Sequence, residues 1–167
     1  QEGLDAVIVN PGVILGAGSW HTGSGAIFKL AHKGMSIFTS GSIAVVDVRD
    51  VVLAMQGLMN SDLKNERYIL VGATLSYKEF TKELALAFDK NPPKKEIAEW
   101  KLLLISSIDG LVSSLFGTKR KLQKANVKSL YTRSNYNAHK IEKALSFSFT
   151  TISQTIKRVA SDYKSEH

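Results

Sequence analysis

The pattern of apolar and polar residues predicts alternating strands and helices in the first half of the chain. The first strand is expected over residues 4–9, where three consecutive β-branched residues are typical of a parallel strand buried on both faces. The tripeptide Asn10-Pro11-Gly12 is predicted to stop this strand. Further short strands are expected over three ranges: 36–39, 43–46 and 67–71.

Helices are predicted between these strands and throughout the second half of the chain. Asp47 is a suitable helix N-cap, and Asp50 places negative charge in the first turn of that helix. Ser76 and Glu79 have the spacing of a capping box, and residues 151–154 repeat it. The other helical ranges are 26–32, 99–116, 119–131 and 151–163.

This change of pattern predicts an α/β part at residues 1–90 and a mainly helical C-terminal lobe at 91–167. The boundary falls at Asn91-Pro92-Pro93, which cannot continue the preceding helix. A single strand at 4–9 cannot satisfy its own backbone groups, so it needs neighbouring strands. We therefore expect that further strands lie upstream and that this chain is a fragment.

Composition indicates a folded globular protein. The 167 residues are 44% hydrophobic and 22% charged, which is close to the average for such proteins. The chain has no cysteine, which excludes disulfides, thiolate metal sites and cysteine nucleophiles and fits a cytoplasmic location. No signal peptide is visible at Gln1, and no apolar stretch reaches the length of about 20 residues that a bilayer requires.

The formal net charge of +7 is concentrated between residues 118 and 143. A solvated positive surface is one interpretation, and a basic anion-binding module is another. Nucleic acid is not expected as a partner, because only Tyr131 and Tyr136 offer bases a stacking surface there. Membrane contact is not expected either, although the helix at 100–116 fits a membrane surface as well as a buried bundle face.

A glycine-rich loop at residues 16–25 follows a strand and precedes a helix, where phosphate-binding loops lie. Its spacing departs from G-x-G-x-x-G, because His21 stands at the position of the third glycine. We expect the loop to shape a ligand pocket rather than to bind a dinucleotide phosphate.

No residue of the chain is predicted to be catalytic or to bind a metal. Tyr136 and Lys140 have a spacing that would place a phenol and an ammonium on one helix face. That would lower the pKa of the phenol, but the region is rich in lysine and chance explains the pair better. The four histidines lack metal-ligand spacing.

Taken as one unit, residues 3–20 (GLDAVIVNPGVILGAGSW) resemble a segment of the extended short-chain dehydrogenases/reductases. In that family a strand of the form V-I-V/L-N/R-P follows the catalytic helix and leads into a V-x-G-P-G loop. The resemblance continues in order along the chain, through DVRDVVLAM, NERYILVG, SYKEF and ALSFSF. The closest branches are the dihydroflavonol-reductase-like proteins and the NAD-dependent epimerases/dehydratases.

The resemblance implies an α/β fold: the C-terminal part of a Rossmann-type parallel sheet plus a mainly helical substrate-binding lobe. It implies NAD or NADP as the cofactor of the intact protein, beside Asn10, Pro11, Gly12 and Val13. Substrate contacts are expected from four residues: Asn10, Trp20, Ser24 and Thr39. The family's nucleotide-binding glycines and its catalytic tyrosine and lysine lie before the opening strand.

The intact protein is therefore expected to be an NAD(P)-dependent oxidoreductase or epimerase acting on a small molecule, and a homodimer is allowed. Two departures from the family pattern bear on the substrate. Ala17 replaces the loop proline, and residues 42–46 lack the arginine that epimerases often use for the substrate diphosphate. A nucleoside-diphosphate-sugar epimerase and a dihydroflavonol-4-reductase-like carbonyl reductase both stay open, as does an NAD(P)-sensing regulatory protein. The fragment alone is expected to be inactive.

Overall fold

A computed structural model of the chain describes the backbone of residues 5–116 and 124–167, and the side chains of these residues except 108–116 and 124–126. The described strands are β1 Val7–Pro11, β2 Val13–Leu15, β3 Ile37–Phe38, β4 Ser42–Asp47, β5 Glu66–Leu70, β6 Ala73–Ser76 and β7 Lys95–Glu96. The described helices are α1 Gly23–Lys33, α2 Val48–Met59, α3 Tyr77–Ala87, α4 Glu99–Phe116, α5 Lys124–Ser129, α6 His139–Leu145 and α7 Ile152–Glu166. The predicted α/β fold class is confirmed.

The strands form three small sheets. β1 pairs with β5 in parallel, and β3 pairs with β7 in parallel. The central strand β4 has β2 beside it in parallel on one edge and β6 antiparallel on the other. Parallel strands joined through helices are the pattern of a Rossmann-type sheet, and the antiparallel β6 is added at one edge.

The opening strand runs later in the chain than the sequence predicts. β1 includes Asn10 and Pro11, because Pro11 still faces Leu70 in the β1–β5 ladder. The chain turns only at Gly12, so the prediction that Asn10-Pro11-Gly12 stops the strand is wrong by two residues. Proline is tolerated there because it lies at the end of an edge strand.

The prediction that this strand is buried on both faces is also wrong for the described chain. Val7 and Val9 pack towards α2, but the side chain of Ile8, which alternates with them, is 46% exposed. Only β5 pairs with β1 among the described residues, so the other edge of β1 is open. In the described residues, α2 covers one face of β1 and β5 pairs with one of its edges, so the β-branched run is partly exposed to solvent.

Local capping explains where two helices begin. The Asp47 side chain accepts a hydrogen bond of 2.8 Å from the backbone N–H of Arg49, and both hydrogen bonds of the Ser76–Glu79 capping box are present. The second predicted capping box is wrong, because the Thr151 hydroxyl donates to the Gln154 side chain instead of accepting from backbone. Residues 119–123 of a further predicted helix lie outside the described residues.

Two apolar clusters hold the elements together. The first lies between the β2–β4–β6 sheet and helices α1, α3 and α7, with Phe28, Phe80 and Val159 fully buried. The second lies under α2 and α6, around Tyr68 and Ile141. Helix α7 shares this first core with α1 and α3, which precede residue 90. The predicted division into residues 1–90 and 91–167 stays a prediction. None of the described helices is both long and apolar enough to cross a membrane.

Buried carboxylates fasten the start of α2 to the C-terminal helix. Asp47 accepts two hydrogen bonds from the Arg158 guanidinium, at 2.7 and 2.8 Å, and one of 2.8 Å from the Thr155 hydroxyl. Asp50 accepts from the backbone N–H and the hydroxyl of Thr150. Burial alone would raise the pKa of Asp47, but the hydrogen bonds from Arg158, Arg49 and Thr155 together hold it below its ordinary value.

Candidate substrate cleft

A cleft of about 320 Å³ opens between β4 and the segment that follows α5. We name it the hydroxyl cleft, because six of its nine lining residues carry a hydroxyl group and none is charged. Its lining residues are Val13, Ser42, Ile43, Ala44, Tyr77, Ser129, Thr132, Ser134 and Tyr136. Such a surface offers hydrogen bonds to a neutral ligand over an apolar floor.

Backbone hydrogen bonds hold the wall of the cleft against the start of β4. Gly41 donates its N–H to the Leu130 carbonyl at 3.1 Å, and Ser42 donates its N–H to the Thr132 carbonyl at 3.0 Å. The Ser42 hydroxyl accepts from the N–H of Ser134 at 2.9 Å and donates to its carbonyl at 3.1 Å. A Cβ at position 41 would lie 2.4 Å from the Leu130 oxygen, so this approach requires glycine.

Two tyrosines leave hydroxyl groups available in the cleft. Neither the phenol of Tyr77 nor that of Tyr136 forms a hydrogen bond within the described part of the chain. Burial raises the pKa of the Tyr77 phenol above its ordinary value. Tyr77 is therefore protonated at neutral pH and can donate a hydrogen bond to a ligand oxygen.

The glycine-rich loop lines a second cavity, of about 250 Å³, on the other side of β2. Val13 lines the hydroxyl cleft and its neighbour Ile14 lines this second cavity, as expected for successive residues of a strand. Ser24 lies here, at the start of α1. The nearby Thr22 hydroxyl donates to the Ser19 hydroxyl at 3.1 Å, so the polar side chains of this loop bond to each other.

No family model matches the chain. Two curated relatives match the chain. One is a "putative dihydroflavonol 4-reductase" of Synechocystis sp., which is 26% identical over 164 residues. The other is "sterol demethylase protein B" of Methylococcus capsulatus, which is 35% identical over 73 residues. The alignments cover 93% and 42% of this chain, but 47% and 22% of the relatives.

Solved structures of the same architecture align with almost the whole chain. A nucleoside-diphosphate-sugar epimerase from Pseudomonas aeruginosa has a TM-score of 0.75 at 19% identity, with 98% of this chain covered and 49% of the epimerase. A human epimerase family protein with NADPH has a TM-score of 0.65 at 14% identity, with coverages of 93% and 48%.

The chain has the fold of the extended short-chain dehydrogenases/reductases. The resemblance drawn from the sequence is confirmed at this level. A third example, a dTDP-glucose 4,6-dehydratase from Bacillus anthracis in complex with NAD, has a TM-score of 0.63 at 11% identity. This chain covers 44% of that protein and itself aligns over 95% of its length, so it spans about half of the proteins that share its fold.

The four residues expected beside the nicotinamide are consecutive and span the end of β1, Gly12 and the start of β2. Asn10 and Pro11 are exposed at the end of β1, and Val13 is exposed at the hydroxyl cleft. The N–H of Gly12 already donates to the Leu70 carbonyl at 3.0 Å. Asn10, Pro11 and Val13 are thus accessible to a ligand, whereas the Gly12 N–H is occupied.

The predicted substrate residues do not converge on one cavity. Trp20 is only 5% exposed: its indole N–H donates to the Glu166 carboxylate, and its ring meets Tyr163 edge-on at 5.0 Å. Thr39 is buried as well, and Ser24 lines the second cavity. Their contacts with substrate stay predictions, and the packing of Trp20 shows a structural role in the core.

The spacing of Tyr136 and Lys140 does not produce a phenol–ammonium pair. Tyr136 precedes α6, so the two residues share no helix face. The Lys140 ammonium bonds to the Glu66 carboxylate and, at 3.1 Å, to the Arg67 carbonyl. The sequence did not predict that Tyr77 and Tyr136 line a substrate cleft. The cleft forms because Ser42 contacts Ser134, 92 positions away, and such a contact leaves no local signal in the sequence.

The basic region does not form a single described cluster. Lys140 is neutralised by Glu66, and the Arg133 guanidinium donates to the Ser40 carbonyl at 3.1 Å. Lys119, Arg120 and Lys121 lie outside the described residues.

Proposed function

We propose that this chain is the substrate-binding portion of a cytoplasmic NAD(P)-dependent oxidoreductase that acts on a neutral carbonyl compound. The observation that carries this proposal is the hydroxyl cleft, which has no charged lining residue and reaches Val13, one of the four residues expected beside the nicotinamide. The fold supports the oxidoreductase class, and the Synechocystis relative supports a carbonyl reductase within it.

The proposed division of labour follows from the residues present. A bound NAD or NADP would exchange a hydride with the substrate carbon. Asn10, Pro11 and Val13 would contact the nicotinamide end, since all three are accessible. Tyr77 and Tyr136 would donate hydrogen bonds that orient the substrate, which is a contribution to positioning rather than to proton transfer.

The lining favours a neutral substrate over a nucleotide sugar. A diphosphate in a cleft without arginine or lysine would keep its charge unpaired, at a cost of several kcal/mol, about the penalty of burying an uncompensated charge. Ser42, Ile43 and Ala44 of β4 line one wall of the cleft, and residues 42–46 contain no arginine. The phenols of Tyr77 and Tyr136 can instead donate hydrogen bonds to the oxygens of a neutral carbonyl compound.

The proposal is tested by fusing the upstream half of the Synechocystis relative to this chain. NAD(P)H oxidation is followed by absorbance with a dihydroflavonol and, in parallel, epimerisation of a UDP-sugar is followed by chromatography. We expect turnover of the dihydroflavonol by the fusion and none by the 167-residue chain alone. Turnover of the UDP-sugar alone, or turnover by the isolated chain, would contradict the proposal.

Substituting Tyr77 with phenylalanine in this fusion is expected to raise KM for the carbonyl substrate by about 2–10-fold, the value of one neutral hydrogen bond. The matched control is Tyr163→Phe, which removes a hydroxyl in the apolar core. It should leave KM unchanged. If both substitutions changed KM equally, the Tyr77 hydroxyl would have no specific contact with substrate.

A further inference from the structure

Helix α4 exposes apolar side chains and buries a polar one. Trp100, Leu104 and Ile105 are 59%, 55% and 50% exposed, whereas Ser106 is fully buried. Leu102 and Leu103 of the same helix are half-buried, so α4 has apolar side chains both on its inner side and on its exposed side. We define the α4 outer face as Trp100, Lys101, Leu104 and Ile105, which are neighbours at helical spacings of one, four and five residues.

Polar and charged groups surround the α4 outer face in a way that suits a lipid headgroup layer. The Lys101 ammonium lies 5.3 Å from the centre of the Trp100 ring. A cleft of about 190 Å³ beside it is lined by Ile37, Lys95, Glu96, Ile97 and Lys101. Tryptophan and lysine both place an apolar body in lipid and a polar end in the headgroups.

The surrounding sequence is strongly basic. Between residues 94 and 128 it contains eight lysine or arginine residues and three acidic ones, so this stretch contributes +5 of the net charge of +7. The sequence also continues the apolar spacing of the outer face at positions 108, 111, 112 and 115. An exposed apolar helix face within a positive segment is complementary to an anionic membrane surface.

We propose that the α4 outer face docks this protein peripherally onto an anionic lipid bilayer. The sequence left a buried bundle face and a membrane surface as alternatives for this helix, and the exposure of Trp100, Leu104 and Ile105 favours the membrane surface. This proposal departs from the expectation of no membrane contact. The helix lies along the surface, with Trp100 and Leu104 at the level of the acyl-chain boundary and Lys101 among the headgroups.

The test is co-sedimentation of the 167-residue chain with vesicles of phosphatidylcholine alone and of phosphatidylcholine with 30 mol% phosphatidylserine, a composition of about physiological surface charge. Trp100 emission provides a second readout, because Trp20, the other tryptophan, is buried. We expect binding at least about tenfold stronger to the anionic vesicles, weakening with salt, and a blue shift that Trp100→Phe abolishes.

Leu104→Glu should lower vesicle binding about tenfold or more, which is the effect of losing one buried leucine from the interface. The matched control is Leu86→Glu, on α3, where the leucine is 52% exposed. It should bind as the unsubstituted chain does. Three outcomes would overturn the proposal: no binding to anionic vesicles, equal losses in both variants, or a Leu104→Glu effect confined to self-association without lipid.

Discussion

Replacing Asp47 with alanine is expected to lower the free energy of unfolding by about 3 kcal/mol, the order seen when one partner of a buried ion pair is removed. The substitution leaves the Arg158 guanidinium, whose side chain is 22% exposed, with its longer ion pair of 3.6 Å to Asp162. It also removes the N-cap of α2 and the 2.8 Å acceptor of the buried Thr155 hydroxyl, which keeps the Thr151 carbonyl at 3.3 Å. Two attachments to α7 and one helix cap are lost with one side chain.

Urea unfolding followed by circular dichroism measures this loss. Lys64→Met is the control, because it breaks an exposed ion pair of 2.6 Å with Asp5 and should cost less than about 1 kcal/mol. An Asp47→Ala variant with unchanged stability would show that the buried carboxylate contributes nothing net to the fold.

The same carboxylate should make stability depend on pH. Because the pKa of Asp47 is lower in the folded chain than its ordinary value of 3.8, its contribution is complete above that value. The contribution is lost as the pH falls through the lower, folded value. Asp47→Asn should therefore be less stable than the unsubstituted chain at pH 7, with a difference that shrinks below about pH 4.

The isolated chain is expected to self-associate through the open edge of β1. Ile8→Lys should lower the association constant by about tenfold or more, because a lysine on an edge strand opposes pairing with another strand. Ile8 is exposed beside unpaired backbone groups of a β-branched strand, which is a template for pairing with another chain.

Sedimentation velocity over a range of micromolar concentrations distinguishes the monomer from the self-associated chain. The control is Ile37→Lys, in β3, where the isoleucine is 44% exposed compared with 46% for Ile8. This control should associate as the unsubstituted chain does. A monodisperse monomer of the unsubstituted chain, or an equal effect of both lysines, would show that β1 is not the associating edge.

Sequence reasoning located the elements that local chemistry determines. Asp47 and the Ser76–Glu79 capping box marked two helix starts correctly, because each side chain bonds to backbone within three residues. The 99–116 helix was also predicted with its observed bounds. The Thr151 capping box failed, since the hydroxyl had a competing acceptor in the Gln154 side chain that spacing does not reveal.

Features that depend on distant contacts were not predictable. β6, Ala73–Ser76, follows Gly72 directly and is a strand only because it pairs with β4. The hydroxyl cleft needs Ser42 and Ser134 to meet, and no local pattern encodes that contact. The burial of Trp20 against Tyr163 likewise depends on α7, the last helix of the chain.

We propose that β1 is an interior strand of a larger sheet in the whole protein, where a further strand pairs with the edge that is open among the described residues. Hydrogen–deuterium exchange of Val7–Pro11 tests it, in the isolated chain and in the fusion carrying the upstream half of the Synechocystis relative. β4 is the internal reference, because strands already flank both of its edges. We expect a large gain in protection of β1 in the fusion and little change in β4. Unchanged exchange of β1 would contradict it.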